Sequence, residues 1–132
     1  MAGTEIKVLL VDDSVHFLEL ESRFLALQPE FTIVGSATSG ERAIAQVDNL
    51  HPDLVLMDLT LPGMSGLQAT SQIKKQPNPP RVIILTLHDQ RAYRAMSEMV
   101  GADGFITKDK FGEPLIQMIH GLFDAAGAPP TQ

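Results

Sequence analysis

The stretch from Leu54 to Gly66, LVLMDLTLPGMSG, constrains the fold of this chain more than any other. Four apolar residues, Leu54 to Met57, run straight into Asp58, and a short apolar run bounded by turn signals suits a strand buried on both faces. Asp58 is therefore predicted to stand where that strand stops. Pro62, Gly63 and Gly66 then punctuate a loop, and Ser65 is placed to cap a helix over Leu67 to Lys75. A carboxylate that ends a buried parallel strand, in front of a proline and glycine loop, lies where open α/β sheets put their ligand chemistry.

Four more apolar segments, Ile6 to Val11, Phe31 to Val34, Val82 to Leu85 and Phe105 to Thr107, alternate with helix-like ones. That alternation predicts a doubly wound α/β fold, a parallel sheet with helices on both faces. At 132 residues the chain is one domain with a single core. The first helix is predicted from an N-cap at Ser14 to about Gln28, where Pro29 stops it. Phe17, Leu20, Phe24 and Leu27 form one apolar stripe along it, and Val15, Leu18 and Leu25 fall roughly opposite. One stripe must face the core; the other is either tucked under a neighbour or exposed as a contact surface. A second helix covers Glu41 to Leu50. A fourth starts near Asp89, packs Ala92, Ala95, Met96, Met99 and Val100, and ends at Gly101. The last carries Phe111, Leu115, Ile119 and Leu122. After Phe123 the sequence turns to small residues and proline, so 1–124 is expected to be the folded domain and 125–132 a flexible tail or the start of a linker.

Several function classes are disfavoured by composition. A net charge of −6 argues against direct nucleic-acid binding, which needs a basic face. The absence of cysteine removes disulfides, thiolate catalysis and zinc-thiolate sites. Apolar runs are too short to span a membrane and no signal-peptide pattern opens the chain, so a cytoplasmic protein is expected.

Polar residues stand at the ends of four of the five strands: Asp12 and Asp13 after the first, Asp58 after the third, Thr86 after the fourth and Lys108 after the fifth. In a parallel sheet these ends share one edge, so the three acids, the hydroxyl and the ammonium can converge. Crowded carboxylates raise one another's pKa, and a divalent cation relieves them. An all-oxygen site without His or Cys suits Mg²⁺, which commonly shares its shell with a phosphoryl oxygen. Lys108 and Thr86 would then meet the remaining phosphoryl oxygens, by charge and by hydrogen bond.

Over about Ile6 to Phe123 the sequence resembles the receiver domain of two-component response regulators. The resemblance is carried jointly by Asp12-Asp13, the Asp58 stretch with Pro62 and Gly66, Thr86, the GADGF segment at Gly101 to Phe105, and Lys108. It implies a flavodoxin-like five-stranded sheet in the order 2-1-3-4-5 with five helices. It also implies that Asp58 accepts a phosphoryl group from a histidine kinase or phosphotransfer protein, with Asp12, Asp13, Asp58 and the Thr60 backbone carbonyl holding Mg²⁺. Thr86 and Phe105 match the switch positions that would alter the surface of the fourth helix, fifth strand and fifth helix, controlling an output domain or a homodimer. Slow autodephosphorylation is implied, but no turnover of added substrate. Asp109, where many receivers have proline, together with GADGFITKD, leans toward the receivers of helix-turn-helix transcription regulators. Leu87, bulky where many receivers are small, is expected to restrict access to Asp58.

Duller readings exist for the same residues. Asp12 and Asp13 can cap the first helix, Phe105 can be core filler, and the four histidines have no metal-ligand spacing. A haloacid-dehalogenase-type phosphatase would need a second aspartate where Thr60 stands. A flavin carrier would not use the acidic Asp12-Asp13-Ser14 loop to bind phosphate. The remaining rival is a phosphorylation-independent interaction module that keeps the fold and signals by protein contact.

Overall fold

The computed structural model describes residues 5–87 and 90–127. Strands and helices alternate as β1 (Ile6–Val11), α1 (Val15–Ala26), β2 (Phe31–Ala37), α2 (Gly40–Leu50), β3 (Leu54–Met57), α3 (Gly66–Lys74), β4 (Arg81–Thr86), α4 (Arg91–Met99), β5 (Gly104–Thr107) and α5 (Glu113–Gly127). A 3-10 turn, Lys108–Lys110, joins β5 to α5. The strands form one parallel sheet, as the alternation predicts, in the order β2-β1-β3-β4-β5 that the resemblance implies.

Successive side chains of a strand point to opposite faces, and each inner strand buries both. Val8, Leu10, Leu54, Leu56, Ile83 and Leu85 pack with α1 and α5 on one face. Leu9, Val11, Val55, Met57, Val82 and Ile84 pack with α2 and α3 on the other. All four residues of β3 are at most 1% exposed. Burying each large aliphatic side chain contributes about 1.5–3 kcal/mol, so β3 is locked between two layers and Asp58 at its end is fixed with it.

Helix starts follow the local chemistry. Ser14 Oγ accepts the Phe17 N–H, and Ser39 Oγ accepts the Arg42 N–H. Ser65 and Gln68 form a reciprocal capping box at the start of α3. Gly101, at φ +95, follows α4 in the left-handed region that favours glycine.

Three expectations are corrected. The core face of α1 is Leu18, Glu21 and Leu25; of the stripe Phe17, Leu20, Phe24 and Leu27, only the two phenylalanines pack against the core, while Leu20 and Leu27 are exposed, as is Val15. Phe17 and Phe24 are held inward by Phe111, whose ring packs against both. On α4, Ala92, Ala95, Met96 and Met99 are exposed, Val100 is half-buried, and the inward side is Tyr93 and Ser97. Ser97 is tolerated there because its hydroxyl donates to the Tyr93 carbonyl. Phe111 precedes α5, at the end of the 3-10 turn, and α5 runs on through Gly127. Asp89 and His88, where the fourth helix was expected to start, lie outside the described residues, as do residues 128–132 of the expected tail.

Candidate functional site: an acidic cluster at the carboxyl edge of the sheet

Strand register brings the candidate side chains together. Val11 pairs with Met57, Met57 with Ile84 and Ile84 with Phe105. One residue further along, Asp12 and Asp58 leave the sheet side by side, and a second step brings Thr86 opposite Thr107. Lys108 follows Thr107 directly. The edge is tied down by backbone: Asp12 N–H donates to the Ala37 carbonyl and Asp58 N–H to the Val11 carbonyl.

Asp12, Asp13 and Asp58 each offer an oxygen within 4.8 Å of the others. Asp12 and Asp58 are buried and Asp13 is exposed. The Lys108 ammonium lies 2.6 Å from Asp12 Oδ2 and 3.8 Å from Asp58 Oδ1, while Asp12 Oδ1 accepts the Ser14 N–H at 2.9 Å. Asp12 thus also shapes the turn before α1, as the capping reading anticipated in part. Burial, followed by the charge of Asp12, pushes the Asp58 carboxyl up to about 7; Lys108 and the Thr60 backbone N–H oppose that rise, and Asp13 adds to it. A carboxyl held that high by burial and by Asp12, with Asp13 within reach, belongs to a donor set that a hard cation relieves, so these residues fit Mg²⁺.

Gly66 lets the loop after β3 pack back against the Asp58 backbone. A Cβ there would lie 2.0 Å from the Asp58 carbonyl oxygen, and the Gly66 N–H donates to the Leu59 carbonyl. Only glycine permits α3 to begin this close to the Asp58 backbone.

Thr86 is fully buried at the end of β4. Thr60 is exposed two residues after Asp58. Phe105 is half-buried against the α2–α3 layer, with the Arg94 guanidinium 4.6 Å from its ring centroid. Leu87, expected to restrict access, is 76% exposed.

Glu21 escaped the sequence reading. It is buried on α1, its Oε1 has no hydrogen-bond partner among the described residues, and burial holds its carboxyl well above the usual range, helped by Asp12 and Asp58 and opposed by Lys108. The signal was present: Glu21 falls at helical spacing between Leu18 and Leu25, where an apolar residue completes the stripe. Asp103, in the GADGF segment, belongs to the opposite end of the sheet, where it accepts the Val82 N–H and pairs with Lys74 and Arg81.

The strand order and the acids at its carboxyl edge define a flavodoxin-like fold with a cluster of three carboxylates. The chain belongs to the response regulator receiver domain family, which it matches over residues 8–120. It is 42% identical over 105 residues to the response regulator protein VraR of Staphylococcus aureus, covering 78% of this chain and 49% of the relative. It is 31% identical over 115 residues to the transcriptional regulatory protein DegU of Brevibacillus brevis, covering 87% and 49%. The chain therefore spans about half the length of these relatives. Among solved structures it is similar to a LuxR-family two-component response regulator from Aurantimonas sp. SI85-9A1, with TM-score 0.84, 31% identity, and coverage of 92% of this chain and 86% of that one. It is also similar to the response regulator domain of Thermotoga maritima CheB, with TM-score 0.82, 28% identity, and coverage of 96% and 99%. Among the described residues no helix is long and apolar enough to cross a membrane.

Proposed function

We propose that Asp58 is the phosphoacceptor of this receiver domain and that Asp12, Asp13, Asp58 and the Thr60 backbone carbonyl hold Mg²⁺. The observation that carries the reading is the meeting of three carboxylate oxygens within 4.8 Å with the Lys108 ammonium 3.8 Å from Asp58. An Asp58 oxygen forms the new P–O bond in line as the P–N bond of a donor phosphohistidine breaks, and that bond's electron pair stays on the imidazole nitrogen. Lys108 meets the charge on the phosphoryl oxygens and Thr86 donates its hydroxyl to one of them. Magnesium, when bound, supplies further charge neutralisation there. The chain catalyses its own modification and slowly loses the phosphoryl group to water.

The phosphoryl group adds roughly 1.5 to 2 negative charges and three acceptor oxygens. Thr86 and Phe105 respond, and the α4-β5-α5 surface changes its preference for an output domain or for a second copy. The donor is a histidine kinase or phosphotransfer protein in the cytoplasm. The output is transcriptional, supported by the likeness to DegU. The receiver unit extends through α5, which reaches Gly127 and so takes in the first three residues of the expected tail.

Acetyl phosphate with Mg²⁺ tests this reading. An intact-mass gain of one phosphoryl group, lost in Asp58→Asn, is expected. A wild-type chain that gains no mass with acetyl phosphate or a phosphohistidine donor overturns it and favours the interaction module.

A further inference from the structure

The Lys108 ammonium has a third neighbour besides its two carboxylates. It lies 4.3 Å from the centroid of the Phe17 ring, one turn into α1, within the reach of a cation–π contact. The side chain of Lys108 is 12% exposed, so the contact is partly desolvated and stronger than one on an open surface. The same ring packs against Phe111 with centroids 5.4 Å apart, and Phe111 closes the 3-10 turn that begins at Lys108. Phe17 therefore touches both the charged end of Lys108 and the turn that carries it.

We infer that Phe17 is a positioning residue for Lys108, a role that rests on the phosphoacceptor reading of Asp58. In the resting protein the ammonium bonds to Asp12 and only approaches Asp58. Phosphorylation requires Lys108 to give up part of that bond and turn to the phosphoryl oxygens. An ammonium released from its carboxylate in a partly buried pocket loses solvation, and the ring face of Phe17 offsets that loss without competing for direction. Cation–π attraction is soft and broad, whereas a 2.6 Å ion pair is directional. The ring thus keeps Lys108 in the pocket while leaving it free to reorient. No other aromatic ring among the described residues lies over Lys108, so the seat depends on this one side chain.

Two readouts test it. In metal-free protein, the Lys108 ε-methylene protons are expected upfield of an ordinary lysine from the ring current, and Phe17→Leu returns them to ordinary values. With acetyl phosphate and Mg²⁺, Phe17→Leu is expected to slow labelling about fivefold, Phe17→Tyr to restore it, and Phe17→Leu to add no slowing in a Lys108→Ala background. Phe24→Leu, which disturbs the same ring cluster through Phe111 without touching Lys108, controls for packing and is expected to label within about twofold of wild type. Ordinary Lys108 shifts in the wild type, or a Phe17→Leu effect of equal size with and without Lys108, overturns the role of Phe17. Absence of labelling in the wild type instead overturns the phosphoacceptor reading, and the proton shifts still decide whether Phe17 seats Lys108.

Discussion

Lys108 is bonded to Asp12 at 2.6 Å and stands off from Asp58 at 3.8 Å. The ammonium therefore rests on Asp12 and not on Asp58, the proposed phosphoacceptor. Asp58 is left less compensated, which agrees with a carboxyl pushed up to about 7 by burial and by Asp12.

Removal of Lys108 takes away the charge that opposes this rise. In Lys108→Ala the Asp58 carboxyl is expected above its wild-type value, measured by carboxyl NMR titration without metal. Labelling by acetyl phosphate should persist but slow by about 100-fold, the cost of losing one preorganised charge at a developing oxyanion. Partner binding that stayed fully phosphate-dependent in this variant would contradict a switching role for Lys108.

Asp58→Asn should stabilise the metal-free protein at neutral pH. The folded-state pKa is raised from 3.8 to about 7, so well below 3.8 the group is protonated in both states and costs nothing. Between 3.8 and 7 the unfolded chain ionises first, and stability falls as pH rises. The stability gap between variant and wild type is therefore expected to widen from pH 4 to pH 7 and then level off, as read from urea melts. A gap that narrows over this range would refute the burial account.

Glu21 is a buried acid without a partner for Oε1. Glu21→Leu completes the apolar stripe with Leu18 and Leu25 and should stabilise the fold by about 1–3 kcal/mol at pH 7. The folded-state pKa is raised above 4.5, so the gain should shrink as pH falls toward 4.5, where the unfolded carboxyl is only half-ionised, and vanish well below it, where the group is neutral in both states. Thermal melts at pH 4.5 and 7 provide the comparison.

Gly66→Ala places a Cβ 2.0 Å from the Asp58 carbonyl oxygen, and backbone cannot yield as a flexible side chain would. A loss of about 3 kcal/mol is expected, together with impaired labelling because the displaced loop carries Asp58 with it. Gly112→Ala, with nothing within 4 Å of the added atom, should be close to neutral in the same melts.

Magnesium should raise the melting temperature and lower the Asp58 pKa from about 7, since a cation among three carboxylates binds the folded state and favours its ionised form. At 100 times its Kd the expected gain is about 2.7 kcal/mol. Asp12→Asn should blunt both effects; a melting temperature that ignored Mg²⁺ in the wild type would count against the site.

What the sequence determined by itself was everything set by local pattern. The apolar run Leu54 to Met57 and its four counterparts specified five strands, Ser14 and Ser65 specified helix starts, and the alternation of elements placed Asp12, Asp13, Asp58, Thr86 and Lys108 on one edge. Periodicity and capping act within a turn or two of the chain, so they survive without knowledge of neighbours. Tertiary structure alone decided which side of α1 and α4 faces inward, that Glu21 is buried, that Gly66 crowds Asp58, and that Lys108 rests on Asp12 under the Phe17 ring. Each of these depends on how closely segments far apart in the sequence approach one another, and that spacing is fixed by packing density across the layers and by no single residue's preference.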